Sequence, residues 1–180
     1  MKRNLSKLIF VASTIASTFS LRAGVSPHET VSATIDGGKV AITYGRPFSV
    51  KPGTTEVRKI WGGLVPYGKV WRTGADQATL LSTDQTLKIG DTTVPAGKYS
   101  LYTLPAEDGS AKLIINKQTG QWGTQYDEKQ DLARVDLKKE TLDKDVPQFT
   151  MAVEANSSGG GVLKMMWEKT QYSVPFTAKK

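Results

Sequence analysis

The sequence predicts an all-β fold, a single-domain antiparallel sandwich or jelly roll, with a closed barrel as the alternative. Three observations predict it. Roughly ten short strand-like runs recur at regular spacing, turn residues separate nearly all of them, and one run, Pro95 to Pro105, is apolar on both faces as a central strand should be.

Residues 1–23 read as a secretory signal peptide, because Lys2, Arg3 and Lys7 precede an uncharged run from Leu8 to Leu21. That run is too short and too rich in Ser and Thr for a membrane span, which needs roughly 20 predominantly apolar residues. Thr18, Ser20 and Ala23 offer small residues for cleavage, which places the start of the mature chain between Leu21 and Gly24. The sequence has no Cys for lipid attachment, so the expected product is periplasmic or secreted, with no transmembrane segment in the mature chain.

Loss of the leader takes Lys2, Arg3, Lys7 and Arg22 but none of the 17 acids, and the net charge falls from +7 to +3. The basic excess that would suggest nucleic acid as a partner therefore belongs largely to the leader, and no nucleic-acid partner is expected. Residues 24–180 suffice for one domain burying about 70% of its unfolded surface. Zero Cys removes thiol catalysis, Cys-ligated zinc and iron–sulfur chemistry together. A single His, His28, argues against a His-rich metal centre, so neither a metal nor a cofactor is expected.

Glu29 to Ile35 and Lys39 to Tyr44 both alternate with period 2 around Asp36-Gly37-Gly38, a hairpin signal, since Asp-Gly tolerates the positive φ of tight turns. Gly45, Pro47, Pro52 and Gly53 then forbid long regular structure, and the irregular region runs almost to Ala78. Ala78 to Thr83, Thr86 to Ile89 and Thr92 to Val94 resume the strands, the last two joined by a Gly90-Asp91 turn. Lys112 to Asn116 should pair with Pro95 to Pro105 across a Glu-Asp-Gly-Ser turn. Gln125 to Leu132 could form one short helix. Ala133 to Lys138, Phe149 to Glu154, Val162 to Glu168 and Tyr172 to Phe176 complete the set. Asn156 to Gly161 joins two of them as a hairpin loop, and carries an Asn156-Ser157-Ser158 sequon that matters only in a glycosylating pathway. No lysine follows its glycines as a phosphate-binding loop requires.

Four segments carry a family resemblance: YGRP (Tyr44 to Pro47), RKIWGGLVPYGKVWRTGADQAT (Arg58 to Thr79), PAGKYSLYTLP (Pro95 to Pro105) and MMWEKTQYSVPF (Met165 to Phe176). Their order resembles that of the exported bacterial proteins grouped as domain of unknown function 2911, over nearly the whole mature chain. Where that family has Asn after the Trp-Arg-Thr-Gly-Ala run, this chain has Asp76. The resemblance implies a secreted, β-rich single domain and brings no catalytic residues, activity or ligand with it.

The site hypothesis rests on Arg58 to Leu81, which holds two of the four Trp, two Arg, four Gly and one Pro without a sustained helical or strand period. Arg46, Arg58 and Arg72 lie in or beside it, interleaved with Trp61, Tyr67 and Trp71. An aromatic face stacks on a sugar ring, and an Arg fork donates two parallel hydrogen bonds to a carboxylate, sulfate or phosphate. These residues with Asp76 are the candidate ligand site, and the expected ligand is a carbohydrate or an anionic small molecule. The plainer reading is that Arg72 bonds Asp76 or loop carbonyls while Trp61 and Trp71 plug the end of the sandwich. Trp71 faces the core or the solvent according to where Val70 points, and the alternation leaves that open. The expected role is a non-catalytic binding or envelope-associated module. A hydrolase using two of Asp76, Glu168 and His28 is the rival, with Asp84 a further acid near irregular chain, and a structural partner for another envelope protein is the third reading. Tyr99 reads as a structural corner whose hydroxyl closes a turn.

Overall fold

A computed structural model describes residues 26–179; the expected signal peptide and its cleavage point lie outside them. Nine strands form one antiparallel sheet: β1 (His28–Ile35), β2 (Gly38–Gly45), β3 (Thr79–Thr83), β4 (Thr86–Ile89), β5 (Thr92–Val94), β6 (Gly97–Pro105), β7 (Ala111–Asn116), β8 (Asp131–Ala155) and β9 (Gly161–Lys179). Their spatial order is β1-β2-β3-β6-β7-β8-β9-β4-β5, with free edges at β1 and β5. The sheet is therefore not closed into a barrel, and it folds into a sandwich-like arrangement.

The bend lies in β8. Its first part pairs with β7 and its remainder with β9, so one strand belongs to both layers. Between Thr141 and Val146 the residues Leu142 to Asp145 face only Lys169 of β9, and Pro147 to Phe149 face only Trp167. Extra residues on one strand bend it and raise its twist, and Pro147 has no N–H to give to a ladder. Glu168, with φ +51°, takes up the strain on the opposite side. The runs expected as separate short strands, Ala133 to Lys138 with Phe149 to Glu154 and Val162 to Glu168 with Tyr172 to Phe176, are thus halves of two long bent strands. The short helix expected over Gln125 to Leu132 is a single 3-10 turn, Glu128–Gln130, capped by the Asp127 carboxylate on Lys129 N.

Local signals are realised closely. Asp36 (φ +49°) and Gly37 (φ +93°) turn β1 into β2, and their register pairs Ile35 with Gly38. β6 lies between β3 and β7 and is buried on both faces along Tyr99–Thr103. The Tyr99 hydroxyl donates to Pro95 O at 3.0 Å, closing its corner. Between the layers, Tyr44 and Trp71 meet Phe149 edge to face, and Trp71 stacks on Trp167 at 5.9 Å. Such aromatic pairs add about 0.5–1.5 kcal/mol each beyond their buried area.

The long connection from β2 to β3 is irregular, as its glycines and prolines require, yet it is pinned throughout. Trp71 and Thr103 exchange both backbone hydrogen bonds, at 2.8 and 2.9 Å. Because β3 leaves β6 at the Thr79–Leu101 pair, Trp71 occupies the lane that β3 vacates. Thr73 Oγ1 lies 2.7 Å from Thr103 Oγ1, and Thr79 Oγ1 donates to Thr73 O at 2.6 Å.

Candidate functional site

The three arginines do not converge. Arg46 pairs with Glu29 at 3.0 Å and donates to Phe149 O (3.1 Å) and Thr150 Oγ1 (2.8 Å), tying the end of β2 to the far layer. Arg58 turns an Nη to the carbonyl of Phe48, and its Nε, like Trp61 Nε1, is buried without a partner among the described residues. Arg72 makes a long 3.5 Å contact from Nη1 to Asp76 O, and its Cδ would lie 2.5 Å from a Cβ added at Gly123. Each guanidinium is engaged by a different part of the protein.

The aromatics of the same stretch divide by depth. Trp71 is 7% exposed, so it faces inward and its ring is core, while Val70 and Arg72 are half-buried. Trp61 is partly buried and packs edge to face on Trp71 (6.4 Å) and Tyr172 (5.4 Å). Tyr67 is exposed and lies over Gly62, where an added Cβ would come within 2.7 Å of its ring. Among the described residues none of the candidate set lines the open concavity nearby, and Asp76 meets it only through His28, which does.

That concavity lies where β1 and β2 meet the turn before β3. His28, at the first position of β1, puts Nε2 3.1 Å from Asp76 Oδ2, the imidazole donating to the carboxylate across 48 residues of sequence. Asp76 holds φ +64° and Thr73 φ +53° in the same turn; for a β-branched residue this is a genuine outlier, kept because the Thr73, Thr79 and Thr103 hydrogen bonds over-determine it. His28 lines a hollow of about 140 Å³ with Thr43, Tyr44, Gly45, Gln77, Ala78, Leu80, Gly120 and Gln121. No group of three His, Asp or Glu able to hold a metal occurs among the described residues.

Gln121 and Gln77 bring amides to this hollow, and sequence reasoning missed both. Gln121 is buried, and its Nε2 donates to Tyr102 Oη at 3.0 Å and Ser100 Oγ at 3.2 Å while its Oε1 has no partner among the described residues. Beside it Trp122 is 49% exposed. The available signal was the setting of this Trp, flanked by Gly120, Gln121 and Gly123 with no apolar neighbour to bury it against.

Behind the hollow, the Tyr44 hydroxyl donates to Glu29 Oε2 (3.0 Å) and accepts from Met151 N (2.9 Å). Burial first, and then the hydrogen bond to Glu29, push this phenol from the usual 10 up to about 12. The fold keeps Tyr44 neutral while an unfolded tyrosine ionises near 10, so the stability it contributes is complete below about pH 10 and is lost as pH rises from 10 to 12. Tyr44→Phe is therefore expected to lower the melting temperature at pH 7, since Met151 N loses its acceptor at a cost of about 1–3 kcal/mol, and to flatten the decline above pH 10. Circular-dichroism melts from pH 7 to 12 check this; parallel curves for the two proteins would remove Tyr44 as the alkaline group.

The other acids stand apart from this site. Glu168 lies on β9 opposite Val146, with its carboxyl raised by burial and then by the neighbouring Asp145 charge. Asp84 accepts from Lys39 N at 2.7 Å beside the β1–β2 hairpin. The pairing of His28 with Asp76 is the one juxtaposition among the three residues of the hydrolase reading.

Residues 26–176 match a family model described as a protein of unknown function, DUF2911. No curated protein and no solved structure matches the chain.

Proposed function

Because the chain belongs to the DUF2911 family, whose description assigns no activity, the hollow must speak for itself, and we propose that the protein is a non-catalytic, exported binding module taking a small neutral, hydrogen-bonding ligand there. The observation that carries the reading is the meeting of His28, held by Asp76, with Gln77 and Gln121 around one opening. At about 140 Å³ it is well below the roughly 300–1,000 Å³ of drug-sized pockets, so it suits a fragment-sized ligand or one end of a larger molecule. Among the described residues no Lys or Arg lines it. An anion would find no lysine or arginine there to offset its charge, which favours the sugar-like over the anionic half of the expected ligand class. Export rests on the leader read in residues 1–23.

Nitrogen–proton correlation spectra of the labelled mature chain test the reading. Glycerol, myo-inositol and simple glycosides are expected to move the side-chain amide resonances of Gln77 and Gln121, with dissociation constants on the order of 1 mM or weaker. Ala78→Leu, which fills the hollow from its wall, should abolish those shifts. The reading fails if acetate or sulfate moves the guanidinium resonances of Arg46, Arg58 or Arg72 while neutral probes do nothing. A hydrolase would instead turn over a glycoside or ester substrate in an Asp76-dependent manner, and an envelope partner would be recovered as one stoichiometric protein with the hollow silent.

A further inference from the structure

We infer that His28 sets the selectivity of the hollow: its Nδ1 is a bare acceptor, the ligand is a neutral molecule that donates an O–H or N–H to it, and Asp76 positions the ring. This rests on the reading of the hollow as a ligand site and narrows it. Asp76 Oδ2 lies 3.1 Å from His28 Nε2, and an ionised carboxylate accepts hydrogen bonds without donating any. The proton of the neutral imidazole therefore sits on Nε2, and Nδ1 keeps its lone pair. Among the described residues no group bonds Nδ1, and the His28 side chain is 37% exposed.

The backbone holds Asp76 in place for this task. Gly123 N donates to Asp76 O at 2.8 Å and Ala78 N to Gln121 O at 3.2 Å, and between them Gln77 and Trp122 are partners across an isolated antiparallel bridge. Asp76, at φ +64°, is thus fixed on one side by this bridge and on the other by the Thr79–Thr73 hydrogen bond. The remaining polar side chains of the hollow leave the choice of ligand to His28. Tyr44 is committed to Glu29 and Met151 N, Gln121 turns its amide to Tyr102 and Ser100, and Thr43 shares its hydroxyl with Thr30 at 2.8 Å. Gln77 lines the hollow with an exposed amide that both donates and accepts, and so prefers neither kind of ligand. An imidazole locked as an acceptor does prefer one: a ligand hydroxyl completes a hydrogen bond there, whereas a carbonyl or ether oxygen sets lone pair against lone pair.

Long-range nitrogen–proton correlation of the His28 imidazole tests this in the labelled mature chain at about pH 8.5, above the usual titration range of histidine. Without any probe, Nε2 should resonate as a protonated nitrogen and Nδ1 as a bare one. Asp76→Asn keeps a residue type that tolerates positive φ, but its amide can turn either an oxygen or an N–H to the ring, so the two resonances should move toward one another. Cyclohexanol, a single six-membered ring of the size that a cavity of roughly 150 Å³ accommodates, should shift Nδ1 toward the protonated position and leave Nε2 in place. Cyclohexanone has the ring and the oxygen without the O–H, and should bind about three- to tenfold more weakly, the net worth of one hydrogen bond. His28→Phe should erase that difference. Equal affinities for the two probes in the natural chain, a preference that survives in His28→Phe, or a bare signal on Nε2 overturns the inference, and the neutral-ligand reading then stands as long as the Gln77 amide responds to either probe. Silence of the ring and of the amides to both probes and to glycerol overturns both.

Discussion

Replacing Trp71 by alanine is expected to lower the unfolding free energy by about 3–5 kcal/mol, the usual cost of emptying a large buried aromatic site. At about 2–4 °C per kcal/mol for a domain of this size, the melting temperature should fall by roughly 10 °C. The reason for so large an effect is position. The indole contacts Trp61, Phe149 and Trp167 at once, so it joins the loop, the bent part of β8 and the middle of β9. Its backbone meanwhile fills the lane beside Thr103. Limited proteolysis within residues 46–70 should accelerate in the same variant, because Trp61 of that stretch packs directly on the lost indole and its exposed Phe48, Val57, Leu64 and Tyr67 offer points of attack once it loosens. Trp71→Phe should recover part of the loss. A fall of less than about 2 °C in Trp71→Ala would show that the loop does not depend on this pin.

The same residue marks the boundary of what the sequence discloses. Hairpin β1–β2, the two-faced β6 and the Tyr99 corner were legible because each is set by neighbours within a few positions, through period-2 alternation, an Asp-Gly turn and a hydroxyl reaching four residues back. The bend of β8 was not, because it depends on which residues β9 leaves unopposed, and a polar run such as Asp143-Lys144-Asp145 reads like an ordinary loop. Residue type marked Arg46, Arg58 and Arg72 as ligand donors, but direction decides their role, and each is directed at a carbonyl or carboxylate of the protein itself. Val70 and Arg72 are both acceptable inward or outward, so alternation could not orient Trp71. The His28–Asp76 contact and the Gln77–Trp122 bridge span 48 and 45 positions, separations at which local pattern carries no information.

Gly45→Ala is expected to cost about 2–3 kcal/mol and to close the hollow, a larger effect than its small volume suggests. Gly45 has no positive φ to explain its presence at the end of β2; space explains it. An added Cβ would press into the carbonyl oxygen of Ala75 and lie 3.0 Å from its carbonyl carbon, both backbone atoms. Gly74 faces it from the other side, where a Cβ would lie 2.8 Å from Gly45 O. Neither chain can yield by rotating a side chain, so the turn carrying Thr73 and Asp76 must move, which strains the Thr79–Thr73 hydrogen bond and draws Asp76 from His28. Overpacking of this kind typically costs about 1–3 kcal/mol, and the upper part of that range follows from the backbone's being the obstacle. Gly37→Ala provides the contrast: nothing lies within 4 Å of its added Cβ, and only its φ of +93° opposes substitution. Urea unfolding of the two variants separates the causes. Gly37→Ala should lose stability and leave the Gln121 amide responsive to ligand, whereas Gly45→Ala should lose both. Equal responsiveness in the two would detach the hollow from the close approach of Gly45 to Ala75.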